Sequence, residues 1–285
     1  MTRRELYTAM CRLAKPIYGD CEASQIARMI AEELLGWSRM DMLLSQGMDC
    51  GVDESVAQRI LSEIEAGRPV QYIIGEVEFC DMRFKVREGV LIPRPESEEL
   101  VRWIVDDARR SEMRGGAILD IGTGSGALAI ALSRELVSYS VTALDISQEA
   151  IGMASENRDN LAPSVAIIEG DALRGVENYT SCSYDIIVSN PPYIPRSEEA
   201  DMRVNVTKYE PHIALFVPDD DPLLFYRAIA RSAAKLLTPN GRLYYEIHEN
   251  FAAATKDMLE AEGFARVEIR VDINDKERMI CAQRE

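Results

Sequence analysis

The residues best suited to chemistry are Asn190, Pro191, Pro192 and Tyr193, which follow the apolar run 184–188. The side-chain oxygen of Asn190 accepts hydrogen bonds, and the peptide bond between the two prolines offers a carbonyl acceptor but no N–H donor. Two such acceptors can hold both hydrogens of a planar NH2 group, while the ring of Tyr193 lies on the flat face of that group. The same residues also form ordinary polar turns after buried strands. The pattern therefore indicates either a grip for an amide or exocyclic amine, or a simple turn.

A glycine-rich turn upstream favours the grip. The apolar run 117–119 ends at Asp120, and the glycine turn 122–126 precedes the helix-like segment 127–132. A strand, a glycine turn and a helix in this order form a nucleotide-binding unit, because glycines permit a tight turn and close approach of a ligand to the backbone. A second apolar run ends at Asp145, whose carboxylate can accept hydrogen bonds from both ribose hydroxyls.

Two cofactors are compatible with this turn. Gly122, Gly124 and Ala127 match the looser form of the dinucleotide-binding pattern. The carboxylate of Asp120 would, however, face a pyrophosphate unfavourably, and the loop at Asn190 has no role in hydride transfer. A cationic ligand with a free amino group suits an acid at this position better. We therefore expect S-adenosylmethionine as the cofactor, with a dinucleotide as the alternative.

The composition is that of an ordinary globular protein. The 285 residues are 47% hydrophobic and 28% charged. No apolar run approaches the roughly 20 residues that span a bilayer, and the first residues lack the apolar core of a signal peptide, so we expect a cytoplasmic protein without membrane contact. Six scattered cysteines and two histidines make a metal site unexpected. The net charge of −16 disfavours nucleic acid as a partner and suits a basic protein, although acidity also keeps a chain soluble.

Taken together, these motifs give a chain that resembles the HemK/PrmC family, whose members are methyltransferases that modify a glutamine in peptide chain release factors. Matching blocks continue from about residue 68 to the C-terminus. They are Arg68-Pro-Val-Gln-Tyr-Ile-Ile-Gly75, Val90-Leu-Ile-Pro-Arg-Pro-Glu-Ser-Glu98, and Tyr209-Glu-Pro211 with Ala214-Leu215. Ser97 stands where the family usually has threonine, and the segment 216–223 departs from the glycine-rich pattern usual there.

The resemblance and the order of elements predict an α/β fold, a Rossmann-like class I methyltransferase with a seven-stranded mixed sheet. We expect a helical bundle for substrate recognition at 1–75, a β-hairpin linker at 76–92 and the catalytic domain at 93–285. Asp20, Ser38 and Asp53 are predicted to cap helices of the bundle, the second of which carries Met42, Leu43 and Leu44. Alternation around 80–82 predicts the hairpin. The last strands, near 266–271 and 278–283, are predicted to pair antiparallel because a short turn joins them.

The resemblance implies that S-adenosylmethionine methylates the side-chain nitrogen N5 of the glutamine in a Gly-Gly-Gln motif, with release factors as protein partners. The sequence does not set the oligomeric state, and we expect a monomer. Asn190 and its three successors would hold the target amide. The implied cofactor residues are Asp120, Ile121, Gly122, Thr123, Gly124, Asp145, Asp171, Ala172 and Asn190. Ala172 occupies a place where some members carry an aromatic residue that could cover adenine.

Two other functions remain open at this point. A DNA or RNA amino-methyltransferase would use the same grip on a base amine, and a scaffold protein would keep the cofactor site without turnover. The net charge of −16 disfavours a nucleic-acid methyltransferase. The presence of Asp120, Asp145 and Asn190 disfavours a scaffold protein without turnover. Glu210 is interpreted as a solvated residue or as one that orients substrate, and Arg94 is expected to help hold the two domains together.

Overall fold

The computed structural model describes residues 1–38, 40–41, 49–111 and 115–284. These residues form two compact units, the first made of Met1–Glu76 with Arg203–Tyr209 and the second of Val77–Met202 with Glu210–Glu285. Most of the second predicted bundle helix, including Met42–Leu44, falls outside the described residues.

The first unit is helical and has its own apolar core. Its helices are Arg3–Met29, continued by a π-helical turn at Ile30–Leu34, then Glu54–Glu65, Val70–Ile74 and Val204–Tyr209. The predicted cap at Asp53 is confirmed, since its side chain accepts a hydrogen bond from the Ser55 N–H. The chain kinks at Gly19 (φ 78°, ψ 173°), beside the predicted cap Asp20, whose carboxylate pairs with Lys15. Buried side chains at helical spacing form the core, among them Leu6, Met10, Ile26, Ile30, Ile60 and Ile64.

A segment from late in the chain completes this unit. The guanidinium of Arg203 donates to both carboxylate oxygens of Glu22, at 2.8 and 2.9 Å. The hydroxyl of Tyr209 donates to the carbonyl of Ala66 at 2.9 Å. The short helix that these residues bracket therefore belongs to the helical unit, although it follows the Asn-Pro-Pro-Tyr loop in sequence.

The second unit is built on a seven-stranded mixed sheet, as predicted. The strands of the chain are β1 Glu76–Phe79, β2 Met82–Lys85, β3 Gly116–Ile121, β4 Tyr139–Asp145, β5 Ala166–Glu169, β6 Tyr184–Ser189, β7 Ile194–Pro195, β8 Phe216–Val217, β9 Leu237–Glu246, β10 Phe264–Val271 and β11 Glu277–Arg284. The large sheet has the order β10-β11-β9-β6-β3-β4-β5. Strands β3, β4, β5, β6 and β9 pair in parallel, and β11 runs antiparallel to both β9 and β10. The predicted antiparallel pair at the end of the chain is thus confirmed.

Helices cover both faces of this sheet and bury two apolar clusters against it. The main helices of this unit are Pro95–Arg110, Ala127–Glu135, Gln148–Leu161, Leu224–Leu236 and Ala252–Ala261. The chain moves from β3 outward to β4 and β5, then returns to β6 on the other side of β3. A reversal of this kind opens a crevice at the carboxyl ends of the strands, which is where α/β sheets bind ligands.

The predicted hairpin is present as strands β1 and β2, and it is shorter than expected because β2 ends at Lys85. Cys80 and Asp81 both have positive φ, 49° and 58°, as a two-residue hairpin turn of the right twist requires. Phe79 and Phe84 pack edge to face, with ring centres 5.9 Å apart, inside the main core of the second unit. Within the described part of the chain, no helix combines the length and apolarity needed to cross a bilayer.

Candidate active site

A cavity of about 310 Å³ opens at the carboxyl ends of β3, β4 and β6. It collects all the sequence-predicted site residues except Asp120 and Tyr193. Those lining it are Ile121, Gly122, Thr123, Gly124, Asp145, Asp171, Ala172, Asn190, Pro191 and Pro192. The predicted cofactor half and the predicted grip therefore share one cavity in the second unit.

The glycine turn after β3 forms an open wall of this cavity. Gly122 and Gly124 have φ values of 75° and 58°, which side chains of L-residues rarely adopt. A Cβ atom built on either glycine would meet no other atom within 4 Å. The turn is anchored to β4, because the Gly122 N–H donates to the Leu144 carbonyl at 2.8 Å. A ligand can consequently lie directly on the backbone here.

Asp145 ends β4 and holds the turn in place. Its Oδ2 accepts from the Gly124 N–H at 2.8 Å, and its Oδ1 accepts from the Ser147 N–H at 2.9 Å. Burial raises the pKa of this carboxyl, and the backbone donors oppose that rise. The carboxylate also lines the cavity, and its two oxygens together have about four acceptor sites, so it can accept from a ligand hydroxyl besides its backbone donors.

Asp120 lies behind the turn and is completely buried. Its Oδ2 accepts from the Thr123 hydroxyl at 2.6 Å and from the Ala129 N–H at 3.2 Å. Its Oδ1 is buried without a hydrogen-bond partner in the described residues. Burial raises the pKa of this carboxyl to about 7. Asp120 thus shapes the turn by contact and reaches the cavity only through its charge.

Two large apolar side chains also line the cavity. Asp171 caps the short turn Ala172–Arg174 by accepting from the Leu173 N–H at 2.9 Å. Leu173 and Ile146 line the cavity and remain 45% and 47% exposed, although large apolar residues favour burial. The sequence analysis did not identify Ile146. It could have been identified as the apolar residue that directly follows Asp145, the acid at the end of β4. These two side chains can cover a flat base where Ala172 is too small.

The residues predicted to hold the target NH2 group, Asn190–Tyr193 (the grip), directly follow β6. The hydroxyl of Ser189, fully buried, donates to the Ile121 carbonyl at 2.6 Å and so ties the ends of β6 and β3 together. Asn190 follows and lines the cavity. Its Nδ2 donates to the Ser97 hydroxyl oxygen at 3.3 Å. The NH2 group of Asn190 is thus engaged by protein, and its amide oxygen is the atom left for a ligand.

Tyr193, which the sequence predicts to lie on the face of the target group, is not part of the cavity lining. Its hydroxyl donates to Glu246 Oε1 at 3.0 Å, and its ring meets the His248 ring edge to face at 6.0 Å. Burial raises the pKa of this phenol, and the neighbouring carboxylate raises it further. Its hydroxyl is therefore connected to Asn190 by hydrogen bonds through Glu246 and Ser97.

Sequence reasoning also missed Glu246 and the role of Ser97. Glu246 ends β9, which pairs with β6 so that Tyr245 lies opposite Ser189. Its side chain is 1% exposed, and its Oε2 accepts from the Ser97 hydroxyl at 2.5 Å. Burial raises the pKa of Glu246, against the hydrogen bonds it accepts. An acid at the end of an apolar strand was the available signal.

Glu210 and Arg94 form a pair beside the cavity. The guanidinium of Arg94 lies 2.6 Å from Glu210 Oε1, and the Ile92 N–H donates to Oε2 at 3.3 Å. The expectation of a solvated Glu210 is wrong, because its side chain is buried by this pairing. Arg94 and its partner Glu210 belong to the same unit, so this ion pair stabilises the second unit, and the expected role of Arg94 between the domains stays a prediction.

A buried asparagine links the hairpin to the glycine turn. Asn157 Oδ1 accepts from the Lys85 N–H at 2.8 Å, while its Nδ2 donates to the carbonyls of Lys85 (3.0 Å) and Ser125 (2.9 Å). The amide oxygen and both N–H groups of this side chain are therefore hydrogen-bonded. Among the described residues, acidic, cysteine and histidine side chains form no cluster suited to a metal ion.

Comparison with known proteins agrees with this geometry. Residues 19–75 match the family model described as the PrmC N-terminal domain, and residues 101–208 match the methyltransferase small domain. A release factor glutamine methyltransferase of Bacteroides thetaiotaomicron is 39% identical over 94% of this chain and 95% of its own length. One of Flavobacterium psychrophilum is 38% identical over 93% of each.

Solved structures identify the fold. The T. thermophilus 16S rRNA N2 G1207 methyltransferase, in complex with AdoMet and guanosine, superposes with a TM-score of 0.53 at 18% identity. The match covers 74% of this chain and 50% of that one. At this identity the likeness establishes the class I methyltransferase fold and no more. The closer sequence relatives establish more, and the chain belongs to the family of release factor glutamine methyltransferases.

Proposed function

We propose that this enzyme transfers a methyl group from S-adenosylmethionine to the side-chain nitrogen N5 of the glutamine in the Gly-Gly-Gln motif of peptide chain release factors. One observation carries the proposal. Asn190 lines the same cavity as the glycine turn and Asp145, and its NH2 group is held by Ser97. The amide oxygen is therefore presented to whatever NH2 group enters the cavity.

The residues present fit the cofactor. The open backbone at Gly122 and Gly124 would accept the methionine part of S-adenosylmethionine, and the carboxylate of Asp145 would accept the ribose hydroxyls. Ile146 and Leu173 would cover adenine. In its ionised form, Asp120, with its unpartnered and buried Oδ1, places negative potential behind the turn, and a ligand with positive charges would favour that ionised form.

Alignment and charge stabilisation are the enzyme's contribution. When bound, S-adenosylmethionine supplies a methyl carbon on a positively charged sulfur: an in-line nitrogen bonds to that carbon as the carbon–sulfur bond breaks and the neutral thioether leaves, and the methylated amide then releases one N–H proton to water. A primary amide is a poor nucleophile, because its nitrogen lone pair is delocalised into the carbonyl. Asn190 Oδ1 and the Pro191 carbonyl would accept the two N–H groups of the target, fix its orientation and return electron density to nitrogen. These hydrogen bonds strengthen as positive charge develops on nitrogen, so they stabilise the transition state more than the ground state.

A transfer assay with isotopically labelled S-adenosylmethionine tests the proposal. Intact release factor, its Gln→Ala variant in the Gly-Gly-Gln motif, ribosomal RNA and duplex DNA would be offered separately to the full-length enzyme. We expect label only in the unchanged release factor, with mass spectrometry placing one methyl on the glutamine side chain. Label in nucleic acid, or equal label in the Gln→Ala variant, would contradict it.

We further propose that the helical unit recognises the release factor. The match of residues 19–75 to the PrmC N-terminal domain and the separate core of this unit support a role apart from cofactor binding. Hydrogen exchange measured with the demethylated cofactor product, with and without release factor, tests this. Added protection of amides within 3–34 or 54–74 is expected, and unchanged exchange there despite bound release factor would refute the role.

A further inference from the structure

Four polar side chains form a connected hydrogen-bond chain behind the grip. Asn190 Nδ2 donates to Ser97 Oγ, the Ser97 hydroxyl donates to Glu246 Oε2, and the Tyr193 hydroxyl donates to Glu246 Oε1. Ser97 and Glu246 are 4% and 1% exposed. Buried networks of this kind impose one arrangement on their members when every member is satisfied.

Glu246 sets the direction of every bond in this chain. An ionised carboxylate can only accept, so both hydroxyls must point their hydrogens toward it. The single hydrogen of Ser97 is then used, and its oxygen can only accept from Asn190. The atom of Asn190 nearest Ser97 must therefore be the NH2 nitrogen. The amide oxygen of Asn190 has no protein donor among the residues described and belongs to the cavity.

We infer that Ser97 and Glu246 are positioning residues that fix which end of the Asn190 amide faces the substrate. The inference rests on the proposed role of Asn190 as an acceptor. An asparagine free to rotate by 180° would present its NH2 group to the NH2 group of the target, where two donors oppose each other. The buried Glu246–Ser97 pair excludes that orientation before the substrate arrives, so no reorganisation is needed during the reaction.

The state of Glu246 links this orientation to pH. The groups that face its carboxyl are Ser97 and Glu96 from the helix Pro95–Arg110, Tyr193 from the loop and Arg278 from β11. Burial raises the pKa of Glu246, while the two hydroxyl donors and Arg278 lower it. A protonated Glu246 can donate to Ser97, whose own hydrogen is then free for the oxygen of Asn190. Protonation would therefore favour the rotated amide and slow methyl transfer.

Matched variants at 97 and 246 test the inference in the full-length enzyme. Single-turnover transfer to release factor would be measured at saturating S-adenosylmethionine for wild type, Ser97→Ala, Ser97→Thr and Glu246→Gln. Loss of the orienting hydroxyl in Ser97→Ala should slow transfer about 10- to 100-fold, the scale of a small misplacement of a reacting group. Ser97→Thr keeps the hydroxyl and should stay within about threefold of wild type. Affinity for the demethylated cofactor product, measured by calorimetry, should be the same in all four.

The pH profile separates positioning from a merely structural role. Wild type should lose activity on the acid side at a pH above the usual range of a glutamate, and Glu246→Gln, which does not titrate, should lack that limb. Unchanged transfer by Ser97→Ala, equal loss in Ser97→Thr, or an unchanged acid limb in Glu246→Gln would overturn the inference. If Ser97→Ala fails to fold, the profile of the isosteric Glu246→Gln decides. Failure of wild type to methylate release factor would instead overturn the proposed function.

Discussion

Replacing Asp145 with alanine tests the cofactor half of the site. This carboxylate holds the N–H groups of Gly124 and Ser147, and it lines the cavity in which the ribose is proposed to lie. Asp145→Ala removes the bonds proposed for the ribose and also releases the glycine turn. Asp145→Asn keeps one acceptor oxygen, but its NH2 group must then face one of the two backbone N–H groups.

The expected loss follows from the kind of bond removed. A hydrogen bond to a charged group contributes about 1.5–3 kcal/mol net. Two ribose bonds set an upper bound of about 6 kcal/mol, and water that enters the emptied site recovers part of it. We therefore expect Asp145→Ala to weaken binding by about 3 kcal/mol, which is about 100-fold. Asp145→Asn should fall between this variant and wild type.

Calorimetry with S-adenosylmethionine and its demethylated product measures this loss directly. Glu169→Ala is the matched control, because Glu169 ends β5 opposite Asp145 in the register and is exposed. Glu169→Ala removes the same charge from the same edge of the sheet but does not change the cavity lining. Because solvent screens this exposed charge, the affinity for the cofactor should stay within about twofold of wild type. Wild-type affinity in Asp145→Ala, or equal losses in Asp145→Ala and Glu169→Ala, would refute the reasoning.

Two predictions concern stability. Asn157→Ala should lower the free energy of unfolding by about 3 kcal/mol, because it leaves two carbonyls and one N–H of the hairpin and glycine turn without their partner. Asn160→Ala, at an exposed position on the same helix, should change the free energy of unfolding by less than about 0.5 kcal/mol. Equal losses for the two variants in denaturant titrations would contradict a stabilising role of the Asn157 hydrogen bonds. Burial raises the pKa of Asp120 to about 7 in the folded enzyme. Between about pH 4 and 7 the folded state therefore keeps a proton on this carboxyl that the unfolded chain has released. The contribution of Asp120 to the free energy of unfolding consequently falls as pH rises through that range. Asp120→Asn should flatten that part of the dependence of Tm on pH without cofactor, and a slope equal to that of wild type would show that the burial of Asp120 is not its cause.

The cofactor half of the site could be predicted because its residues are contiguous in sequence. The glycine turn directly follows β3 and Asp145 directly ends β4, so a strand, its last residue and the next turn already define the wall of a cavity. The same holds for Asn190 at the end of β6. In each case the functional residue lies within a few positions of an apolar run, which the pattern identifies.

The support behind the grip could not be predicted in the same way. Ser97 and Glu246 are 149 residues apart in sequence, and they meet only because the helix Pro95–Arg110 packs against β9, with Trp103 on Tyr244. Strand order and helix packing are properties of the whole fold, so the acid that ends β9 is visible in the sequence, but the side chains that it meets are not. The assignment of Arg203–Tyr209 to the helical unit has the same cause, since contacts with Glu22 and Ala66 decide it.

In the proposed mechanism, the amide oxygen of Asn190 holds the target glutamine during methyl transfer. Single-turnover transfer to release factor, at saturating S-adenosylmethionine, should be compared for wild type, Asn190→Ala and Asn190→Asp, with cofactor affinity measured on the same samples. Asn190→Ala should slow transfer about 10²- to 10³-fold, the usual cost of one preorganised polar contact, with little change in cofactor affinity. Asn190→Asp keeps an acceptor oxygen and should retain part of the rate. Transfer by Asn190→Ala at the wild-type rate, onto the same glutamine nitrogen, would contradict the claim.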